Sequence, residues 1–334
     1  MKKALQDYRS RVDIAVLNPH ADIVAVTTDL VNIPSVSGDE NLIAGAIFQA
    51  LSQCSWLEVH RFKNSVIAST NLGKPSRVIV AGHVDTVPVA DNAQATLIRK
   101  GESLPSDGSV VSEDVLFGIG SCDMKGGVAV AFRAAAAIEN PQFDVTYIFY
   151  ECEEIESSRN GLTLIAAEHP EWLAADIAVL LEPSNANIEA GCQGTLRASI
   201  STSGKRAHSA RSWLGENAIH NLNAILETLN SYEPAKVLID GLEYREGLNA
   251  VAISGGVAGN IIPDHALVDV NYRYAPNKSG AEAEQHIRDT FKGFSVTFTD
   301  NAPGAMPGLD RAALADLVSR VDGQVAPKFG WTDV

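Results

Sequence analysis

Four short apolar runs mark the first half of the chain: VIAST (66–70), RVIVAGH (77–83), VTYIFYE (145–151) and IAVLLE (177–182). They are nearly continuous in Val, Ile and Leu rather than alternating, the pattern of strands covered on both faces. Four segments with helical patterning separate them: ADIVAVTTDLVNI (21–33), NLIAGAIFQALSQC (41–54), KGGVAVAFRAAAAIE (125–139) and LTLIAAEHPEWLAA (162–175). Strands alternating with helices predict an α/β layer with a mainly parallel sheet. From about 193 the pattern changes. TLRASISTSG (195–204), NAVAISGGV (249–257), ALVDVNYRYAP (266–276) and SVTFTD (295–300) alternate apolar and polar positions, with helical segments at 217–232 and 280–293. That order, β-α-β-β-α-β, is the ferredoxin-like split pattern with an antiparallel sheet exposed on one face. A Pro/Gly stretch at 301–309 then leads into an amphipathic segment, DRAALADLVSRV. The prediction is a discontinuous α/β domain, 1–192 with 302–334, carrying an inserted α+β domain, 193–301.

With 334 residues and 46% apolar content, the chain has enough material for two cores. Its formal charge of −15 argues against a nucleic-acid or anionic-membrane partner, which would need a basic face. Cys54, Cys122, Cys152 and Cys192 form no Cys-x-x-Cys pair, so reduced thiols are expected rather than a disulfide framework or a thiolate zinc knuckle. The first residues, MKKALQDYRSRVDIAV, interrupt any leader-like apolar run with Asp7, Arg9, Arg11 and Asp13. The apolar run of the third helical segment is cut by Arg133 and too short to span a bilayer. A cytoplasmic protein is the expectation.

The chemistry-bearing residues gather at the ends of the apolar runs. On extended chain His83 and Asp85 face the same way, so an imidazole could take a metal while a carboxylate holds its other nitrogen. Asp123 lies in a glycine-rich loop before a helix, as a helix cap or as a ligand. Glu153 and Glu154 close a buried strand as adjacent carboxylates, which repel unless a cation or proton lies between them. Glu182 ends another apolar run and needs a partner there. Oxygen and nitrogen donors without thiolate fit zinc, cobalt or manganese in a hydrolytic site.

GHVDTVP, GSCDMKGG, the Glu-Glu pair and LEPS, in this order, resemble the M20 metallopeptidase family over essentially the whole chain. The resemblance implies a homodimeric hydrolase of small N-acyl amino acids with two zinc ions per subunit in the full-length enzyme, cobalt being an alternative, and an inserted domain serving as lid and dimerisation element. His83 and Glu182 would hold one ion, Asp123 would bridge, Glu154 would hold the second, Asp85 would orient His83, and Glu153 would be the general base. His208 in GKRAHSA would stabilise the oxyanion, supplied from the neighbouring subunit. Asn260, Arg273, Arg197, Arg211 and Thr332 are the candidate substrate-binding residues. Within the family the chain is most similar to enzymes that release succinate from N-succinyl-LL-2,6-diaminopimelate. The rival readings are an aminoacylase, acetylornithine deacetylase-like enzyme or dipeptidase, and a metal-poor, non-catalytic relative. Two departures bear on these. The family's last metal-ligand histidine has no counterpart up to FGWTDV. The turn Gly191-Cys192-Gln193-Gly194 also stands where many such enzymes carry an arginine pair, leaving Arg197, Arg206 or Arg211 for the succinyl group, or else a different acyl group is cleaved.

Overall fold

The apolar runs of the first half form one five-stranded sheet in the computed structural model, which describes residues 16–321 and 323–332. Asp7, Arg9, Arg11 and Asp13, on which the expectation about a leader rests, lie outside the described residues. The strands are β1 (Glu58–Phe62), β2 (Ser65–Ser69), β3 (Arg77–His83), β4 (Asp144–Tyr150) and β5 (Ile177–Leu180), in the spatial order β1-β2-β4-β3-β5. β3 runs parallel to both neighbours, β4 and β5. The pairings β1–β2 and β2–β4 are antiparallel, so the sheet is mixed rather than mainly parallel. The cause is local: Phe62 pairs with Ser65 across a two-residue turn with Lys63 at φ +52°, and so short a turn can only reverse the chain.

Both faces of this sheet are covered, which explains the unbroken apolar runs. Val66, Ala68, Tyr147 and Phe149 pack with residues of helices α1 (Ile23–Asn32), α2 (Asn41–Leu51) and α3 (Gly126–Ala137), among them Leu30, Ile47 and Phe132. The alternate positions, Ile67, Ile79, Ile148 and Tyr150, pack with Ile165 of α4 (Gly161–Glu168). Each fully buried side chain of this size contributes roughly 1.5–3 kcal/mol. Asp22 caps α1 through Val24 N–H, and Asn160 caps α4 through Leu162 N–H. α4 stops at Glu168, short of the predicted 175, because Pro170 disfavours the helical conformation in the residue before it.

Residues Ala186–Thr332 cluster as a second unit. It comprises β6 (Ile188–Ala190), β7 (Gly194–Ser203), α5 (Ala218–Asn230), β8 (Gly247–Gly255), β9 (His265–Tyr274), α6 (Gly280–Thr290), β10 (Ser295–Ala302), α7 (Ala312–Ser319) and β11 (Val325–Pro327). β8-β9-β7-β10 form an antiparallel sheet in that order. In β9 every second residue from Ala266 to Tyr274 is buried, against Leu196 and Ile200 of β7, Leu222 of α5 and Ile287 of α6. β11 pairs in parallel with β6, so the stretches 186–192 and 302–332, which the sequence reading joined to the first domain, are tied to each other and cluster with this unit. Cys54, Cys152 and Cys192 are buried and Cys122 is exposed, and no disulfide joins any of them. Among the described residues no helix is long and apolar enough to cross a membrane.

One buried ionic knot fixes the second unit. Glu246, 5% exposed, accepts from the Tyr272 hydroxyl (2.7 Å), Lys278 Nζ (2.8 Å) and Ala275 N–H (3.0 Å). Burial works against its charge, but the Lys278, Ala275 and Tyr272 hydrogen bonds outweigh burial and hold the carboxyl below its ordinary value. A depressed folded-state pKa stabilises above the unfolded value of 4.5 and loses that contribution as pH falls below it. Glu246→Gln is therefore expected to cost about 1–3 kcal/mol near neutrality, the gap from the parent narrowing below pH 4.5 in denaturant titrations. A gap independent of pH contradicts this.

Candidate metal centre

The carboxyl ends of parallel strands lie along one edge of a sheet, where ligands collect in open α/β folds. β3 ends in His83, β4 leads into Glu153 and Glu154, and β5 leads into Glu182. The fourth contribution comes from the loop before α3. Gly120 takes φ +74°, open to glycine at little cost, and Asp123 is extended (φ −118°, ψ 99°) within the 121–125 turn. The residue preceding α3 is Lys125, with no side-chain cap, so the alternative reading of Asp123 as a helix cap does not hold. Gly127 brings the start of α3 against the end of β5: a Cβ there would lie 2.4 Å from the Leu181 carbonyl oxygen. Glycine at this position is what lets the Asp123 loop and Glu182 share one edge.

The donors converge. His83 Nε2 is 3.0 Å from Asp123 Oδ1 and 3.9 Å from Glu182 Oε1. Ligand atoms of His83, Asp123 and Glu154 lie within 4.8 Å of one another, close enough that small side-chain adjustments would bring all three onto one cation. The chemistry of the set, one imidazole and carboxylates, fits a zinc-type ion. His83 and Asp123 differ sharply in exposure, with side chains 1% and 55% exposed, so the site opens to solvent on the Asp123 side. Burial disfavours an imidazolium at His83, but hydrogen bonds with Asp123 and Asp85 and the charge of Glu182 overcome it and push the pKa up to about 11. The same negative field favours a metal cation. Glu154 is shifted the other way from a typical carboxylate partner: burial and the charges of Asp123 and Asp85 raise its pKa against the opposing His83.

Asp85 lies beside this set, fully buried. His83 Nδ1 meets the Asp85 main-chain carbonyl at 3.1 Å and the carboxylate only at 3.5 Å, so the carbonyl is the closer partner. The carboxylate itself accepts from Ser37 Oγ (2.7 Å), Glu153 N–H (3.0 Å) and Glu154 N–H (3.1 Å). Asp85 thus orients the two glutamates as well as the histidine. Burial opposes its ionisation, yet His83 and these donors hold its pKa below the ordinary value.

Three participants escaped the sequence reading. Ser37 sits in a Ser-Gly-Asp-Glu stretch that looks like an ordinary turn. Met124 is wholly buried, with Sδ 3.3 Å from the His83 N–H. Lys125 is 1% exposed, its Nζ donating to the Leu30 and Ile33 carbonyls (both 3.0 Å) at the end of α1. Burial, partly offset by the Asp85 charge, pushes its pKa down to about 7. Only its place between Asp-Met and Gly-Gly could have hinted at that anchoring role.

The other candidates lie in the second unit. Residues 207–208 pair with 261–262, and Ser209 N–H donates to the Asn260 carbonyl (2.9 Å), which brings His208 and Asn260 together. His208 Nδ1 accepts from Ala210 N–H (3.1 Å), so Nε2 carries the ring proton and is the donating nitrogen. Arg197 on β7 and Arg273 on β9 share the sheet face opposite the core. Arg273 Nε donates to Asn271 Oδ1 (3.1 Å), and burial together with the Arg197 charge lowers its pKa. Arg206 is paired with Asp264 (2.8 Å). Arg211 is exposed in the 209–214 turn, and Thr332 is buried with no hydrogen-bond partner for its Oγ1 among the described residues.

A histidine and carboxylates at the strand ends of a mixed α/β sheet define a candidate hydrolytic metal centre. The profile of Peptidase family M20/M25/M40 matches residues 79–333, and the chain belongs to that family. It is 50% identical over 321 residues to a Mycobacterium tuberculosis (strain CDC 1551 / Oshkosh) protein provisionally named succinyl-diaminopimelate desuccinylase DapE, covering 95% of this chain and 87% of that one. To the succinyl-diaminopimelate desuccinylase of Corynebacterium glutamicum it is 46% identical over 324 residues, covering 94% and 84%. Among solved structures, a tripeptidase from Staphylococcus aureus superposes with TM-score 0.68 at 20% identity over 95% of this chain and 86% of its own. An M20 family metallo-carboxypeptidase from Sulfolobus solfataricus gives 0.68 at 14% identity over 94% and 87%. At those identities the two structures speak for the fold alone.

The close approach at Gly127 has a measurable consequence. Gly127→Ala places a methyl against the Leu181 carbonyl and is expected to destabilise by about 1–3 kcal/mol through overpacking. It is also expected to weaken metal binding by shifting Asp123 away from Glu182. Denaturant unfolding and isothermal titration with zinc measure both; unchanged values contradict the assignment.

Proposed function

We propose that the chain is a cytoplasmic metallo-amidohydrolase of lysine and cell-wall biosynthesis that cleaves N-succinyl-LL-2,6-diaminopimelate to succinate and LL-2,6-diaminopimelate. The observation that carries the reading is the 46–50% identity to the two desuccinylase relatives over nearly the whole chain. The donor set at the strand ends supports it chemically. His83, Asp123, Glu154 and Glu182 would hold the metal, zinc or alternatively cobalt. A metal so held supplies Lewis-acid polarisation of the amide carbonyl and lowers the pKa of water.

The chain's own residues do the rest. Glu153 takes a proton from the attacking water as the new C–O bond forms, and delivers it to the amine nitrogen as the C–N bond breaks. Asp85 holds Glu153 through its backbone N–H and keeps His83 in orientation. His208, supplied by the neighbouring subunit with Nε2 as its donor, would stabilise the carbonyl oxygen as negative charge builds there. Arg273, Arg197, Arg211, Asn260 and Thr332 bind the substrate's carboxylates and amine, an arginine fork pairing a carboxylate in two hydrogen bonds. The second unit acts as lid and dimerisation element of a homodimer. Its strand β8 supports that role, because it stands at the edge of the sheet among the described residues with Val251 and Ile253 63% and 54% exposed.

Succinylated and acetylated substrates assayed side by side on the zinc- or cobalt-loaded protein test the proposal. A preference of at least about tenfold in kcat/KM for N-succinyl-LL-2,6-diaminopimelate is expected. Glu153→Gln should lose roughly a hundred- to ten-thousand-fold in kcat with metal content unchanged. Preference for an acetylated substrate or a dipeptide contradicts the assigned substrate, and a metal-loaded protein with no turnover contradicts the assigned activity.

A further inference from the structure

Glu40 is a wholly buried carboxylate with no part in the ligand set. It precedes α2, yet its side chain makes no helix-capping bond. It reaches instead into the interior behind the metal centre. Glu40 Oε1 accepts from Gly38 N–H (2.7 Å), Cys152 N–H (3.2 Å) and the Cys152 thiol (3.4 Å), while Oε2 accepts from Asn64 Nδ2 (3.5 Å). Asn64 N–H in turn donates to Glu151 (3.1 Å). A buried carboxylate without such donors would cost several kcal/mol, so its position is strongly determined.

The two strongest contacts lie next to the residues that hold Asp85. Gly38 follows Ser37, whose hydroxyl donates to Asp85 Oδ2. Cys152, at φ +60°, precedes Glu153 and Glu154, whose N–H groups donate to Asp85 Oδ1 and Oδ2. A non-glycine residue in the left-handed region persists only when its surroundings fix it, and the Glu40 bond to the Cys152 N–H is such a fixture.

We infer that Glu40 is a positioning residue for the hydrolytic site: its carboxylate holds the Ser37–Gly38 turn and the Cys152 turn together, so that Asp85, Glu153 and Glu154 face the metal in register. The kinetic part of this inference rests on the proposed function; the metal-binding part does not. Supporting shells of this kind are worth about 10- to 100-fold in metal affinity or activity.

Two variants separate position from charge. Glu40→Asp keeps the charge but cannot span from α2 to both Gly38 and Cys152. Glu40→Gln loses the charge but keeps an acceptor oxygen at the same reach. Cobalt(II) affinity is read from its d–d absorption band in each purified full-length variant, with kcat and KM on the preferred substrate and Tm alongside. Glu246→Gln, a substitution within the second unit, serves as a destabilised control for the cobalt titration. The expected result is a tenfold or greater loss of cobalt affinity and of kcat in Glu40→Asp, with KM within about threefold, and values within about threefold of the parent in Glu40→Gln. Cobalt affinity within twofold of the parent in Glu40→Asp, or losses no larger than those of Glu246→Gln at equal Tm, would overturn it. If the parent fails to turn over the succinylated substrate, the proposed function falls while the cobalt titration still decides the role of Glu40.

Discussion

Asp85 is withdrawn from water at the end of β3, and a carboxylate in that position has to find all of its partners inside the protein. It finds them in three chain segments: its own strand end through His83, the 35–39 loop through Ser37, and the turn after β4 through Glu153 and Glu154. Hydrogen bonds to a charged group are worth about 1.5–3 kcal/mol each, and losing one partner of a buried charge costs more. The segments therefore cannot drift apart independently. The positions of Glu153 and Glu154 are set by their main-chain groups rather than by their own flexible side chains.

The sheet makes this convergence possible. β3 and its two parallel neighbours end on the same edge, so three strands deliver donors to one place. α3 delivers the fourth, and it can approach only because Gly127 offers no side chain to the Leu181 carbonyl. The antiparallel β1–β2 hairpin takes no ligand, but its Lys63–Asn64 turn supplies Asn64 to the buried Glu40–Glu151 pair behind the site. Architecture and chemistry are thus coupled through backbone contacts more than through the ligand side chains.

Most of this was legible in the chain. The continuous apolar runs identified β2 to β5, and the alternating ones identified all four strands of the second sheet, because burial on two faces or one leaves different periodicities. β1, EVHRF, was missed since a half-exposed edge strand with three polar residues carries neither signature. His83, Glu154 and Glu182 stood out as candidates because charged or ligating groups at the ends of apolar runs demand an explanation, and Asp123 because it lies in a glycine-rich loop before a helix. Ser37, Glu40 and Lys125 were not, because turns and helix starts are where such residues ordinarily stand in solvent. Only the fold reveals that these three are buried or half-buried.

The most direct test is the location of the bound metal, because a second cluster, Glu40, Glu151 and Cys152, also brings three ligand atoms within 4.8 Å. Anomalous diffraction at the zinc edge from crystals of the zinc-loaded protein distinguishes the two. The account predicts density about 2.0–2.3 Å from His83 Nε2 and from the Asp123 and Glu154 or Glu182 carboxylates. Density at the Glu40 cluster, with none at His83, would contradict it.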